Sequence, residues 1–145
     1  LAALARREPQ ILQVSHKVFP TGGAAHAAQD MLMELCEREG LAPDDIDSIE
    51  LQAPPLVHRL VARPWQDGMA TSYARLCLPY LLATVMLEGR VGLDAYAPEK
   101  LTDRRRADIA SRVIVAQQTI PIGVVTALVG VPFFAIILYR SRPQT

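Results

Sequence analysis

Lys17 lies in the run His16-Lys17-Val18-Phe19-Pro20-Thr21-Gly22-Gly23, with His26 three residues beyond the second glycine. A lysine ahead of a glycine-rich loop that opens a helix has a chemical use. Free backbone N–H groups and the positive helix end favour an anion, and the ammonium adds a full charge. The same spacing also fits an exposed lysine beside an ordinary turn, with His26 a polar residue of the helix's first turns. A second candidate is Ser72-Tyr73-Ala74-Arg75-Leu76-Cys77-Leu78-Pro79-Tyr80. In a continuous helix Tyr73 and Tyr80, seven residues apart, share a face. There a phenol can orient a carboxylate or act as a weak acid, and core packing of both rings is the alternative. His16, His26 and His58 are scattered and no CxxC or HxxxH pair exists, so neither a protein-built zinc site nor a cofactor is expected. Cys36 and Cys77 sit in apolar helical contexts and read as buried, reduced thiols rather than a disulfide.

The elements that must carry these residues follow from periodicity and breakers. Residues 1–10 read as a linker or the truncated end of a helix closed by Pro9, and Ile11 to Val14 as a short β-type run. The glycine loop feeds a helix from about Ala24 to Glu39, with Met31, Leu32 and Leu35 as its apolar face and Gly40 as its stop. Ile49, Leu51 and Ala53 alternate with Glu50 and Gln52, the pattern of a half-buried strand, which Pro54-Pro55 ends. A long helix is expected over Ser72 to Leu87, with Pro79 early in it or kinking it. An amphipathic helix is expected from about Pro98 to Val113. Helices packed on a small sheet make an α+β domain.

From Val113 to Tyr139 there is no Asp, Glu, Lys or Arg. Residues 120–139 form an apolar run that, as a helix, spans roughly 30 Å, the hydrocarbon thickness of a bilayer. Gly123 and Ala127, like Thr126 and Gly130, are spaced four apart, so small residues share a face where another helix can approach closely. The expectation is one hydrophobic, membrane-spanning helix at the C-terminal end. The 145 residues otherwise hold one modest domain. Fifteen basic and fifteen acidic residues cancel, which removes the electrostatic case for nucleic acid. The first residue is Leu1 and no charged-then-apolar signal segment opens the chain, which suggests a fragment or processed product.

Four blocks carry a family resemblance: Lys17-x-Phe19-Pro20-x-Gly-Gly-x-x-His26, Leu41-Ala42-Pro43-Asp44-Asp45-Ile46-Asp47-Ser48-Ile49, Tyr73 to Tyr80, and Leu87-Glu88-Gly89-Arg90-Val91-Gly92-Leu93. In this order and at these separations, residues 11–114 resemble the C-terminal lid domain of the MmgE/PrpD family, which includes 2-methylcitrate dehydratase. The resemblance implies a lyase or isomerase that moves a proton beside a carboxylate of a small polycarboxylate. It also implies an active site in the cleft between this lid and a larger helical domain. On that reading Lys17 grips a substrate carboxylate, Tyr80 borders the cleft, and His26 is a weaker member. The histidine that some relatives use lies nearer the lysine, where this chain has Gly22. No catalytic set is complete, because the family's acid–base groups belong to the other domain, so the chain alone is expected to be inactive.

Residues 115–142 resemble a different family: the last transmembrane helix of FecCD-type permeases, importers of iron-siderophores and vitamin B12. The likeness rests on the run from Ile120-Pro121-Ile122-Gly123 to Gly130-Val131-Pro132-Phe133-Phe134, with Arg140 and Arg142 as the basic end. Two family fragments in one chain suggest a gene fusion, a truncation remnant or an assembly error, with a transport component as the rival function. Partners then expected are a small polycarboxylate, if the helical domain is supplied, and the membrane through residues 120–139; homo-oligomerisation stays open. Lys100, Arg104, Arg105, Arg106 and Arg112 precede the apolar run and only Arg140 and Arg142 follow it. The positive-inside bias then puts the soluble part in the cytoplasm and the short end outside, whereas the permease resemblance implies a cytoplasmic C-terminus. A cytoplasmic protein is expected if the tail is an artefact.

Overall fold

Pro79 decides how the middle of the chain is divided. A continuous helix would need the residue 79 N–H for the Arg75 carbonyl, and proline has none. The chain instead breaks. Helix α3 spans Thr71–Ala74, Cys77 turns extended and forms an antiparallel bridge to Ala62, and α4 runs Leu78–Glu88 with Pro79 in its first turn. There proline's missing donor costs nothing. The Arg75 carbonyl finds another partner, the Gly22 N–H at 2.9 Å. The expected Ser72 to Leu87 helix is therefore two helices, and Tyr73 and Tyr80 do not share a face.

The computed structural model describes Val14, residues 16–118 and Pro132. In chain order the remaining elements are α1 (His26–Glu39), β1 (Ile49–Ala53), α2 (Pro55–Val61), α5 (Pro98–Leu101), α6 (Arg104–Ser111) and β2 (Val113–Gln117). Short 3-10 turns occupy Gly23–Ala25, Pro43–Asp45 and Leu93–Tyr96. The architecture is α+β: β1 and β2 form a two-stranded parallel sheet, Ile49 opposite Val113 and Ala53 opposite Gln117, with the helices packed around it.

Helix α4 is the centre. Leu78 through Met86 are all buried, and a helix apolar all round belongs inside a fold. Gly89 ends it in the left-handed region at φ 75°, its N–H returning to Val85 O at 2.8 Å. Helix α1 packs on α4 with Gln29 and Leu32 buried and Cys36 Sγ 3.5 Å from Met86 Sδ, and with Ala25 just ahead of the helix these residues form a stripe spaced four, three and four. That stripe differs from the expected one. Leu32 is buried, but Met31 is 66% exposed and Leu35 38% exposed, because the stripe facing α4 is set one position away from them. Gly40 closes α1 at φ 65° as expected.

Two further expectations change. The helix expected over Pro98 to Val113 is α5 and α6, separated at Thr102-Asp103, where the Asp103 carboxylate accepts the Arg105 N–H at 2.9 Å and caps α6. Val113 belongs to β2, and β2 runs across the boundary expected between residues 114 and 115. Its last ladder bond is Gln118 N–H to Ala53 O, 2.8 Å. The Pro54-Pro55 pair ends β1 and also starts α2, with Pro55 in its first turn. Cys36 and Cys77 are both free thiols.

The expected linker at 1–10, all but the last residue of the Ile11 to Val14 run, and the apolar run at 120–139, Pro132 excepted, lie outside the described residues. Among the described residues no helix is long and apolar enough to cross a membrane.

Candidate functional site

The glycine loop, the middle of α1 and the turn after α4 meet along one groove. Lys17 to Pro20 of the loop, Arg90 to Leu93 after α4, and Asp30 and Met33 of α1 line it. Lys17 and Arg90 are exposed, and among the described residues neither these cations nor Asp30 enters an ion pair. The Lys17 ammonium donates to the Thr21 carbonyl at 3.3 Å, which folds the side chain back over its own loop. Val18 and Leu93, 80% and 76% exposed, leave apolar surface along the groove.

His26 stands beside Phe19. Its ring meets the Phe19 ring edge-on, centroids 5.4 Å apart at 90°. Together with Val18, Ala27 and Asp30 these two rings line a smaller hollow that shares Val18, Phe19 and Asp30 with the groove. Among the described residues the His26 Nε2 is buried without a hydrogen-bond partner. Lys17 and His26 thus each line a hollow together with Phe19, and Asp30 lines both.

Tyr80 is elsewhere. It is 0% exposed, its hydroxyl donates to the Ala95 carbonyl, and burial pushes its pKa above the ordinary phenol value. In this chain it is a core residue of α4. Tyr73 is likewise occupied: its hydroxyl donates to Pro64 O at 3.0 Å and the Arg63 guanidinium lies 5.3 Å over its ring. Cys77 is buried and donates to Arg63 O at 3.2 Å, and burial raises its thiol to about 11, which keeps it protonated and unreactive.

Residues that the sequence patterns did not single out also shape the site. Gln29 is fully buried and its amide donates to Thr21 Oγ1 and to Ala25 O, both at 3.0 Å. Asp30 is one helical turn beyond His26, and that spacing puts the two on one helix face. Arg90 belongs to the Glu88-Gly89-Arg90 block that carries part of the family resemblance. Next to Arg90 in sequence, a charge network from Glu88 ties four elements: α4, the Leu93–Tyr96 turn, α5 and α6. Glu88 at the end of α4 pairs with Lys100 at 2.7 Å and with buried Arg106, which also reaches Asp103 at 3.0 Å. Lys100 continues to Asp94 at 2.7 Å. Burial works against the Glu88 carboxylate, yet the hydrogen bonds from Lys100 and Arg106 outweigh it and hold its pKa below the usual value.

An α+β module with an open, cation-flanked groove is the class that this geometry defines. The family model of the MmgE/PrpD C-terminal domain matches residues 19–119, and the chain belongs to that family. Lys17 stands two residues ahead of the matched segment. A FecCD transport family model matches residues 106–140. Its first part overlaps the lid, where Arg106, Ile109, Ala110 and Val113 are buried, so residues 106–117 are structurally part of the lid. No curated protein matches the chain.

Proposed function

We propose that this chain is the lid fragment of an MmgE/PrpD-type lyase or isomerase, and that its groove takes a carboxylate of a small polycarboxylate such as a methylcitrate. The observation that carries the reading is that two exposed cations, Lys17 and Arg90, line one groove, and among the described residues neither comes within ion-pair distance of a carboxylate. A charged hydrogen bond from each would hold a substrate with more than one carboxylate. The groove is open to solvent, and a clamp without a positioned acid–base pair and without exclusion of water contributes binding, not turnover. His26 and Asp30 add a polar edge to the groove, and the reaction itself awaits a second surface closing over it.

Calorimetry with citrate at low ionic strength tests the reading. The wild-type chain binds, and Lys17→Ala loses about 1–3 kcal/mol, the range of a hydrogen bond to a charged group. Equal affinity in both would mean that Lys17 is merely solvated. Purified chain incubated with 2-methylcitrate should release no unsaturated product, and measured dehydration would overturn the claim of inactivity alone.

A second reading concerns the residues after Gln118: they anchor the lid to a membrane with the lid in the cytoplasm, whereas the FecCD match favours a membrane component of an iron-siderophore or vitamin B12 importer. The larger number of basic residues before the apolar run supports that orientation. A reporter active on one side of the membrane, fused to Thr145, separates the cases. A signal from the outer side supports the anchor, and a cytoplasmic signal from membrane-bound chain favours assembly into a permease.

A further inference from the structure

We propose that Tyr96 is a positioning residue for the carboxylate groove, locking the Lys17-bearing loop to the turn that follows Arg90 through the Pro20 carbonyl. The inference rests on the reading of Lys17 as the carboxylate cation, but the contact itself does not. Tyr96 lines neither hollow. It is buried at 7% exposure and its hydroxyl donates to Pro20 O at 3.0 Å, across 76 residues of sequence.

The geometry makes this bond more than a packing detail. The next carbonyl after Pro20 is that of Thr21, which accepts the Lys17 ammonium. A shift of the Pro20–Thr21 segment therefore moves the cation. Tyr96 itself ends the turn Leu93–Tyr96, and Leu93 and Gly92 line the groove together with Arg90. One phenol thus ties the segment that carries Lys17 to the turn that follows Arg90. Arg75 reinforces it twice: its guanidinium lies 5.2 Å over the Tyr96 ring and its backbone carbonyl accepts the Gly22 N–H. Gln29 holds the same loop from beneath through Thr21 Oγ1. Burial raises the Tyr96 hydroxyl to about 12, so it remains a donor throughout the neutral range. A loop ordered before the ligand arrives avoids the entropy of ordering it on binding, and this is how a residue outside the groove affects affinity.

Tyr96→Phe in the full chain removes the hydroxyl and keeps the ring, and three measurements on it decide the matter. Hydrogen exchange of the Gly22 amide should quicken about fivefold, the effect of one lost hydrogen bond, while the α4 amides stay within about twofold of wild type. Citrate affinity should fall about fivefold. The double variant Lys17→Ala/Tyr96→Phe should bind no more weakly than Lys17→Ala, since a positioning group has nothing left to position. Unchanged Gly22 exchange overturns the proposal. So does a uniform rise that includes α4, which would mean general destabilisation, and so do additive citrate losses. If wild type and Lys17→Ala bind citrate equally, the reading of Lys17 fails by itself, and the exchange measurement still judges Tyr96.

Discussion

Gly22 occupies the position at which some relatives are expected to carry a histidine, and the surroundings explain why this chain cannot simply substitute one. A Cβ built there would lie 2.4 Å from Leu76 Cδ2 and 3.4 Å from the Arg75 carbonyl. The Leu76 side chain can turn away, so Gly22→Ala should cost about 1 kcal/mol in thermal or denaturant unfolding, a modest overpacking penalty. The loss should largely disappear in a Leu76→Ala background, and an equal loss in both would place the strain in the backbone instead. Arg106 is the opposite case. Its side chain is 5% exposed and paired with Glu88 and Asp103, and among the described residues its buried Nε has no partner. Arg106→Ala leaves Glu88 partly buried with Lys100 alone, and unfolding stability should fall by about 3 kcal/mol, the lower end for a broken buried pair. A loss below about 1 kcal/mol, the scale of an exposed pair, would mean that Lys100 compensates fully.

Among the elements, those whose signal is local are legible in the sequence. Helix α1 has a glycine stop, β1 alternates cleanly, and both stand where composition and period put them. The misses come from tertiary context. Val113-Ile114-Val115-Ala116-Gln117 is a strand because it pairs with β1 in register, yet in sequence it is the head of an uncharged run that continues into the tail, so period could not separate the two. Pro79 signals a break, but only the neighbouring extended Cys77 and the Gly22 bond to the Arg75 carbonyl show why α3 and α4 part there. The lysine loop is recognisable at residue level. The burial of Tyr80 is not legible from the pattern, since its inward orientation depends on where α4 begins. Gly89→Ala should cost about 1 kcal/mol, the penalty for a side chain at φ 75°. Pro79→Ala should cost less than Gly89→Ala, because α4 does not use the residue 79 N–H.

For the whole molecule, the charged and buried groups set opposite limits on stability. Glu88 has a lowered pKa, so its contribution is present above the ordinary carboxylate value of 4.5 and is lost as pH falls through its folded value. Cys77 is raised from 9.0 to about 11 and Tyr96 from 10.0 to about 12, both by burial. The unfolded chain ionises these groups first, so the folded state's advantage is full below about pH 9 and declines from there to about pH 12. Melting temperature against pH should therefore be a plateau that falls at both ends, and Tyr96→Phe should soften the alkaline fall. The last strand bond, Gln118 N–H to Ala53 O, marks where the lid's sheet is complete. The FecCD match runs past it to residue 140, whereas the lid match stops at 119. A chain cut after Gln118 should keep a single cooperative unfolding transition within a few degrees of the full chain, because α4, α6 and β2 already close the described core. Loss of that transition in the shortened chain would show that the apolar run completes the lid instead of serving a membrane.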